Sequence, residues 1–478
     1  MNARFRTSTH GTTSPLPRVV LLLCAVTVPV GLAAEGQAHK PRHHHYKLVD
    51  MGTFGGPTSG VEETAPLFTS TGDINNREMI GTSMTSIPTT GTSSGYACPG
   101  SGLVAHAFVW RMGIVTDLGT LAGSASCSEA NAINSKGVIV GQAEINELDP
   151  LLGFNQAHAV QWEDGRITDL GTLGGYESLA TDINHRGLVV GLATNAVPDP
   201  LACFSTGARC RAALWRNGVI QDLGSLGGPE AAAILINDRD QIVGVANTDS
   251  VPSPGCILAR TTHPFLWEKG RMTDLGTLGG TCAIPFGLNN RRQVVGIANL
   301  PGDSTSHAFL WPGAGGKIQD LGTLGGSFSD AYVINDAGEA VGDAGDISDR
   351  AIAVLWKNGV MINLGLLNGD CASSARSVNS KGQIVGYSST PCDFMGVRRA
   401  VLWEDGSMVD LNTLIRPGSG MQVALAETIN DRGEIAADGA PSGCEIVENC
   451  GHAVLLIPCD NNHPDIDGCD YSMVDAAT

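Results

Sequence analysis

The seven tryptophans of this 478-residue chain stand at the same place in one repeating phrase, 44 to 53 residues apart. The phrase contains four short pieces rich in β-branched and aliphatic residues. Each piece is bounded by Gly, Asn or Asp, as strands and their turns require. A period of this length with four strand-like pieces predicts the blades of a propeller, because one such sheet cannot bury its faces alone. The repeated tryptophans are Trp110, Trp162, Trp215, Trp267, Trp311, Trp356 and Trp403.

The two ends of the repeat are halves of one unit. We name the strands of a blade a (Ser-x-Ala-x-x-Ile-Asn), b (Gly-x-Val-Val-Gly), c (His-Ala-Phe-Leu-Trp) and d (x-x-x-Asp-Leu-Gly). The first unit opens with a strand d, Tyr46 to Asp50, and the last stops after a strand c, His452 to Leu456. Pairing these strands leaves no interior edge unpaired, whereas an open solenoid would need atypical capping repeats. We therefore predict an all-β, closed propeller of eight four-stranded blades over residues 46–456, in which the N-terminal strand completes the last blade.

A polar pair recurs in the hairpin between strands c and d. The first residue of c and the Asp of d are 11 residues apart in six of the seven units that hold both strands, and 13 apart in the other. A tight hairpin makes them cross-strand neighbours. Where the first is His or Arg the second is Asp, and where it is Ile352 the second is Asn363. A catalytic dyad is needed once, so the recurrence indicates a structural role, and we predict no catalytic residue here. The aspartates are Asp117, Asp169, Asp222, Asp274, Asp320 and Asp410.

The combined phrase His-Ala-Phe-Leu-Trp, Asp-Leu-Gly-Thr-Leu-Gly-Gly, Ile-Asn and Val-Val-Gly resembles the bacterial extracellular repeat family named HAF after its His-Ala-Phe. The resemblance covers about residues 46–456. It implies a secreted, β-propeller-like repeat protein of undefined role, and it supplies no catalytic residues to carry over. The chain departs from the phrase at Ile352, Asn363 and Leu456, so blades six and eight fit it least well.

Residues 1–34 have the pattern of a secretory signal peptide. Three arginines precede an apolar run, 19–34, that is too short for an ordinary membrane span and ends in small residues. We expect cleavage near Ala33 or Ala34, an extracellular or periplasmic mature protein, and no membrane insertion after cleavage. A signal anchor is the alternative, which Pro29 and Gly31 within the run disfavour.

The rest of the chain is acidic. The formal net charge of −19 becomes −22 without the three arginines of the leader, because residues 1–34 contain no acid. A surface of this sign repels nucleic acid and anionic lipid, so we expect no nucleic-acid partner. Continuous repetition favours one ring over several domains, and we expect a monomer.

Twelve cysteines remain after the leader, an even number that predicts disulfides in an exported protein. In an antiparallel blade the b-to-c and d-to-a connections share one face, and ten of the twelve fall there. Spacing alone leaves the connectivity open, but the economical pairing joins neighbours on this face. A metal–thiolate site is the weaker reading, because no regular Cys/His spacing occurs. The pairs are Cys98–Cys127, Cys203–Cys210, Cys256–Cys282, Cys371–Cys392, Cys444–Cys450 and Cys459–Cys469.

Two further segments contain metal-ligand types. The stretch His39 to His45 lies in a basic, His-rich leader, 35–45; it could bind a transition metal, but a solvated leader is the simpler interpretation. The disulfide-closed tail, 457–478, has the carboxylate density of a calcium loop at Asp460, Asp465 and Asp467, yet it lacks the full spacing and the Glu of an EF-hand. We expect no metal and no cofactor, with calcium at these three residues as the open alternative.

The same face carries unequal b-to-c loops, the longest from Thr82 to Ala105. Loops on a rigid scaffold commonly carry binding sites, although loop drift explains the variation equally well. We favour a secreted binding or scaffold protein that uses this face to hold an undefined protein or glycan. The alternative is an extracellular enzyme acting on glycans, a hydrolase or lyase. It would require one non-repeated cluster of carboxylates, or of His, Tyr or Arg, at the central channel.

Overall fold

The computed structural model describes residues 42–61, 74–93, 98, 102–202, 207–253, 255–313, 315–390 and 397–475. Eight four-stranded antiparallel sheets form the blades of a closed propeller, with strand a innermost and strand d outermost in each. The predicted fold class is confirmed. The signal peptide lies outside the described residues. Within them, no helix is long and apolar enough to cross a membrane.

The strands follow one another around the ring in chain order, and β1 (Arg42–His44) and β2 (Tyr46–Asp50) precede the first complete blade. From a to d, blade one consists of β3 (Gly55–Gly60), β4 (Glu78–Pro88), β5 (Leu103–Arg111) and β6 (Ile114–Asp117), and blade two of β7 (Ser128–Ile133), β8 (Ile139–Leu148), β9 (Asn155–Glu163) and β10 (Arg166–Asp169). Blade three consists of β11 (Gly174–Ile183), β12 (Val189–Pro198), β13 (Ala208–Arg216) and β14 (Val219–Asp222). Blade four consists of β15 (Ala231–Ile236), β16 (Ile242–Pro252), β17 (Arg260–Glu268) and β18 (Arg271–Asp274).

Blades five to eight continue the same order, and two short helices lie in the last two of them. Their strands are β19 (Ala283–Leu288), β20 (Val294–Asn299), β21 (Ser306–Trp311) and β22 (Gln319–Asp320); β23 (Gly325–Ile334), β24 (Ala340–Asp346), β25 (Ala351–Lys357) and β26 (Val360–Gly365); β27 (Ala372–Val378), β28 (Ile384–Thr390), β29 (Val397–Glu404) and β30 (Ser407–Asp410); β31 (Met421–Ile429), β32 (Ile435–Pro441) and β33 (His452–Pro458), with β34 (Met473–Asp475) beyond them. The helices are a 3-10 turn, Leu411–Thr413, and α1, Val447–Cys450.

The chain ends close the ring as the half-units predict. Strand β2 is the outer strand of blade eight and pairs with β33, from Tyr46 opposite Pro458 to Asp50 opposite Val454. Tyr46 is buried, and its backbone N–H donates to the carbonyl of Leu414 in blade seven. The first complete blade and the last are therefore joined through both ends of the chain.

A second closure corrects the expectation of a solvated leader for residues 42–45, whereas residues 35–41 lie outside the described residues. Strand β1 pairs with β34 outside the ring, and the buried His43 contacts Glu404 and Ser407 of blade seven through its two ring nitrogens. The tail packs back in the same way, because His463 lies 3.0 Å from Glu434 and 2.7 Å from Asp460. Although burial opposes it, contact with these two carboxylates raises the pKa of His463. Strand β1 and the tail that ends in β34 thus pack against each other and against the ring, and we call them together the clasp.

A closed circle of hydrogen bonds joins the eight asparagines of the Ile-Asn motif. The side-chain amide of each donates to the backbone carbonyl of the asparagine in the next blade, and the amide of Asn430 donates to Asn75 to complete the circle. Each Oδ1 also accepts backbone N–H groups of its own a-to-b turn, so one side chain shapes a turn and links two blades. The members are Asn75, Asn134, Asn184, Asn237, Asn289, Asn335, Asn379 and Asn430.

The serine and the tryptophan of the repeat also bridge neighbouring blades. In blade three the Ser178 hydroxyl donates to the Gly171 carbonyl and accepts the Ala159 N–H, both of blade two. Trp215 packs in a core shared by blades two and three, and its indole N–H donates to the Leu170 carbonyl at 2.9 Å. Because these cores lie between blades, each blade is stabilised by its neighbours, as the period predicts.

Candidate functional site

The b-to-c connections of blades one to four begin and end in strand, so the loops are shorter than expected from the sequence. Strand β4 runs on to Pro88 and β5 begins at Leu103, so both ends of the supposed loop Thr82 to Ala105 are paired backbone. Strands β8, β12 and β16 extend in the same way beyond the rest of their sheets. Hairpins with short tips therefore project from this face. We call the described residues of those in blades two to four the rim hairpins; they are 144–157, 194–202 with 207–210, and 247–253 with 255–262.

Two of the hairpin tips share the sequence Asp-Pro-Leu, and a buried aspartate shapes each. The Asp149 carboxylate accepts the backbone N–H of Leu151, and the Asp199 carboxylate accepts that of Leu201. Such turns fix the backbone locally. Both leucines are held with their side chains 47 % and 38 % exposed, respectively.

The rim hairpins are tied to one another and to the ring. Arg260 of blade four, itself buried, lies 2.7 Å from Asp199 and donates to the Leu201 carbonyl of blade three. Although desolvation opposes it, contact with Arg260 lowers the pKa of Asp199, which favours the ionised carboxylate. Ala157 at the base of the blade-two hairpin donates its backbone N–H to Glu177 of blade three. These contacts make the tips one pre-organised surface.

Disulfides add to this stiffness on the same face, and a further one closes the tail. Cys98–Cys127 links the blade-one hairpin to blade two, and Cys256–Cys282 links blade four to blade five. Cys444–Cys450 closes a loop of blade eight, and Cys459–Cys469 closes the tail. These four pairs are the ones expected from the sequence. Cys210 and Cys371 are also disulfide-bonded, whereas Cys203 and Cys392 lie outside the described residues.

The rim hairpins expose aliphatic side chains. An exposed apolar side chain is ordinary when it stands alone, whereas a group of them on one surface marks an interaction site. Phe154 is the single aromatic residue in the group, so among the described residues the rim offers no platform on which sugars could stack. The exposed group is Leu148, Leu151, Phe154, Val197, Leu201 and Val251.

The repeated polar pairs of strands c and d lie at the outer edge of the ring. His106 contacts Asp117 at 2.8 Å, although the ladder places Asp117 directly opposite Phe108, so the pair is diagonal. The same contact occurs for five histidines, including His452 with Asp50 across the ring closure, and two arginines replace histidine elsewhere. The pairs are His106–Asp117, His158–Asp169, Arg211–Asp222, His263–Asp274, His307–Asp320, Arg399–Asp410 and His452–Asp50.

One position of strand a differs from blade to blade, and it coincides with a β-bulge. In each of blades two to eight the register of strand a against strand b skips the residue that lies three positions after the serine position of the motif Ser-x-Ala-x-x-Ile-Asn. The skipped residue bends the strand locally and has no partner in the ladder. These seven residues are Asn131, Thr181, Ile234, Phe286, Tyr332, Arg376 and Glu427.

The bulge residues contact the next blade along the inner wall of the ring, which the eight strands a form. The Asn131 amide donates to the Ala180 carbonyl of blade three. In blades five to eight the contacts join side chains: the rings of Phe286 and Tyr332 are 6.2 Å apart, the Arg376 guanidinium lies 5.0 Å from the Tyr332 ring, and Arg376 Nε is 3.0 Å from Glu427. The repeat thus supplies the frame, and the bulges supply different chemistry in each blade.

Two aspartates of blade six extend this row into a cluster. Asp330 of strand a stands directly opposite Asp343 of strand b. Like charges at such a position repel, and burial together with Asp343 raises the pKa of Asp330 to about 7. Burial also raises the pKa of Asp343, although bonds from Tyr332 and Ser374 oppose the rise. We call Asp330, Tyr332, Asp343, Ser374, Arg376, Tyr387 and Glu427 the inner cluster.

The metal-ligand candidates are already engaged in other contacts. Asp460 accepts from Asn462 and contacts His463. Within the described parts of the chain, one trio of His, Cys, Asp or Glu brings its ligand atoms within 4.8 Å, namely Cys98, Cys127 and Glu144. Two of those are joined in a disulfide, so this trio is not a metal site. Calcium at Asp460, Asp465 and Asp467 stays a prediction.

Neither protein-family models nor curated protein sequences match the chain, and membership of the HAF family stays a prediction. Among solved structures it is similar to the β-propeller domain of the Trilobed protease from Pyrococcus furiosus (TM-score 0.39, 10 % identity, 77 % of this chain and 98 % of that one). It is also similar to Pyrococcus horikoshii acylaminoacyl peptidase (0.39, 10 %, 79 % and 58 %) and a Mycobacterium tuberculosis puromycin-hydrolyzing peptidase (0.40, 12 %, 82 % and 61 %). The chain thus spans about three fifths of these two peptidases. Likeness at this level carries no information on activity, and the propeller is assigned from its own strand pairing.

Proposed function

We propose that this protein is an exported binding protein whose rim hairpins hold a partner protein. The observation that carries the proposal is the group of exposed aliphatic side chains on tips fixed by buried aspartates, an inter-blade ion pair and disulfides. Binding to such a surface costs little ordering of the protein itself. A protein partner fits better than a glycan, because a glycan surface commonly uses several aromatic rings.

Export is supported by the disulfides, which form and persist in oxidising compartments, and by the signal-like residues 1–34. The mature protein is then extracellular or periplasmic. We expect the intact mass of the exported chain to correspond to a start near residue 35. A mass that includes the first 34 residues would contradict cleavage.

The binding surface is tested by charge placed on the tips. We expect the double variant Leu151→Asp/Leu201→Asp to lose the proteins that the wild type retains from the extracellular and envelope fractions of the producing cells. Exposed carboxylates there cost little folding stability but oppose burial in an interface. The matched control is Val219→Asp/Val360→Asp, which changes exposed valines at c-to-d turns on the opposite face. The same retained proteins for all three chains, by quantitative mass spectrometry, would contradict the proposal.

An extracellular enzyme acting on glycans is the second candidate, and the inner cluster favours it. The cluster contains carboxylates, tyrosines and an arginine at one place on the ring, which are the group types that such an enzyme requires. A polysaccharide-cleavage assay on the mature protein separates the two candidates.

A further inference from the structure

The inner cluster is the one place on the described inner wall where non-repeated ionisable side chains of three blades meet. Blade six contributes Asp330, Tyr332 and Asp343, blade seven contributes Ser374, Arg376 and Tyr387, and blade eight contributes Glu427. Most repeat positions make the same contact in every blade, so their role in the fold accounts for them. The positions recur in the other blades, where Glu129 and Gln142 of blade two form the pair that corresponds to Asp330 and Asp343, but the side chains at these positions change from blade to blade.

Solvent reaches part of this cluster. Asp330, Tyr332, Arg376 and Tyr387 are each partly exposed. The Asp330 side chain forms no hydrogen bond or ion pair with another described residue, although it lies beside the ladder partner that raises its proton affinity. Only 9 % of the Glu427 side chain is exposed; its Oε2 binds Arg376, while its buried Oε1 makes no hydrogen bond to any described residue. Two carboxyl groups of the cluster therefore keep capacity for a further partner.

The mixture of groups decides which ligand fits. A cation would be repelled by Arg376, and an anion would be repelled by the carboxylates of Asp343 and Glu427. A carboxyl pair that shares a proton both donates and accepts hydrogen bonds, and the Ser374 and tyrosine hydroxyls do the same. Each hydroxyl of a sugar also donates and accepts. A neutral, hydroxyl-rich molecule is thus the ligand class that meets every group without an opposing charge.

The cluster continues toward the face that carries the rim hairpins. The Arg398 guanidinium lies 5.5 Å from the Tyr387 ring, and its Nη1 is 3.1 Å from Glu448 of α1. Arg398 also lines a cavity of about 110 Å³ between blades seven and eight, together with Gln422 and the loop closed by Cys444–Cys450. Arg398 therefore connects Tyr387 of the inner cluster to this cavity.

We propose that the inner cluster binds a neutral saccharide, with Asp330 and Asp343 sharing one proton in the bound state. The site is distinct from the rim hairpins and does not depend on the proposed protein partner. Asp343 from β24 and Tyr332 on β23 interact electrostatically with Asp330. The other polar and charged groups of the cluster are Ser374 and Arg376 from β27, Tyr387 from β28 and Glu427 from β31. Because ionised Asp330 would restore repulsion from Asp343 and lose its donor, the affinity falls as the pH rises through 7.

The test uses saturation-transfer NMR and titration of the mature protein with cellotriose, mannotriose, xylotriose and triacetylchitotriose. We expect at least one probe to bind at pH 6 with a millimolar or lower Kd, and at least about threefold more weakly at pH 8.5. Asp330→Asn, which keeps a donor and an acceptor, should bind that probe equally at both pH values, and Asp330→Leu should lose binding with an unchanged melting temperature.

Three results would overturn the proposal: no probe binds the wild type at pH 6, Asp330→Leu binds as the wild type does, or Asp330→Asn keeps the pH dependence. If Asp330→Leu fails to fold, Arg376→Lys provides the second variant, because it keeps the charge but loses the planar contact with Tyr332; unchanged affinity there also overturns it. Leu151→Asp/Leu201→Asp serves as the control and should bind the probe normally. Failure of the rim proposal and failure of this one are therefore distinguishable.

Discussion

Replacing Asn237 by alanine should destabilise the propeller by on the order of 3–5 kcal/mol. The Asn237 amide donates to the Gln241 side chain at 2.8 Å and to the Asn289 carbonyl of the next blade at 3.0 Å, while its Oδ1 accepts the N–H groups of Arg239 and Gln241. Alanine leaves these groups buried without partners, and each unsatisfied group costs about 1–3 kcal/mol. The measurement is thermal and denaturant unfolding followed by circular dichroism.

Two further variants show whether the circle of asparagines is responsible. Asn237→Asp keeps the acceptors of the turn but places a carboxylate against the Asn289 carbonyl, so it should be at least as destabilising as alanine at pH 7. Arg239→Ala changes an exposed side chain of the same turn and should stay within about 0.5 kcal/mol of the wild type. If the free energy of unfolding of Asn237→Ala lies within about 1 kcal/mol of the wild-type value, neither the inter-blade bond nor the turn bonds of Asn237 stabilise the ring appreciably, and the prediction is wrong.

The closed ring could be predicted because the residues that require it stand within each repeat and at its two ends. Each blade needs a neighbour to bury Trp215 and its equivalents, and the unmatched half-units at Tyr46 and His452 leave one way to satisfy every edge. The asparagine circle has a signal too, since Asn237 and Asn289 are each followed four residues later by glutamine, which binds the same amide. That spacing predicts a shaped turn. The bond to the next blade depends on the curvature of the ring, which no single repeat contains.

The projecting hairpins and the clasp were harder to predict. Strand β4 continues through Thr82 to Pro88, a run rich in threonine and serine that ends in proline, as loops often do. Its pairing with β5 depends on partners that come after a variable tip. His43 is similar: a histidine-rich leader has the composition of a solvated segment, and its burial follows from a contact with Glu404, 361 residues away. Contacts of that range leave no trace in local periodicity.

The residues of the inner cluster could not be located from the sequence. A non-repeated group of ionisable side chains at the channel was the expected sign of the alternative function, an enzyme acting on glycans. Arg376 and Tyr332 occupy the x positions of Ser-x-Ala-x-x-Ile-Asn, where the motif carries no information. Only the bulge, which takes one residue per blade out of the ladder, shows that these positions in successive blades touch.

Deleting the first 52 residues should abolish stable ring closure. The deletion removes β2 and with it the buried Tyr46, the ladder to β33 and the contact of Asp50 with His452. Burial of a tyrosine alone is worth about 1.5–3 kcal/mol, and the exposed edge of β33 is a template for association. We expect a melting temperature lower by more than about 10 °C, or aggregation, by light scattering and calorimetry.

A circular permutant separates the loss of the strand from the loss of the N-terminal position. Arg42 and Asp475 are ladder partners, so a short glycine linker can join the two ends of the clasp. New ends can be opened in the turn between Asn358 and Gly359 of blade six. The permutant keeps all the described strands and should melt within a few degrees of the wild type as a monomer. If the deleted chain is equally stable and monomeric, β2 does not hold the ring closed, and blade eight is stable with three strands.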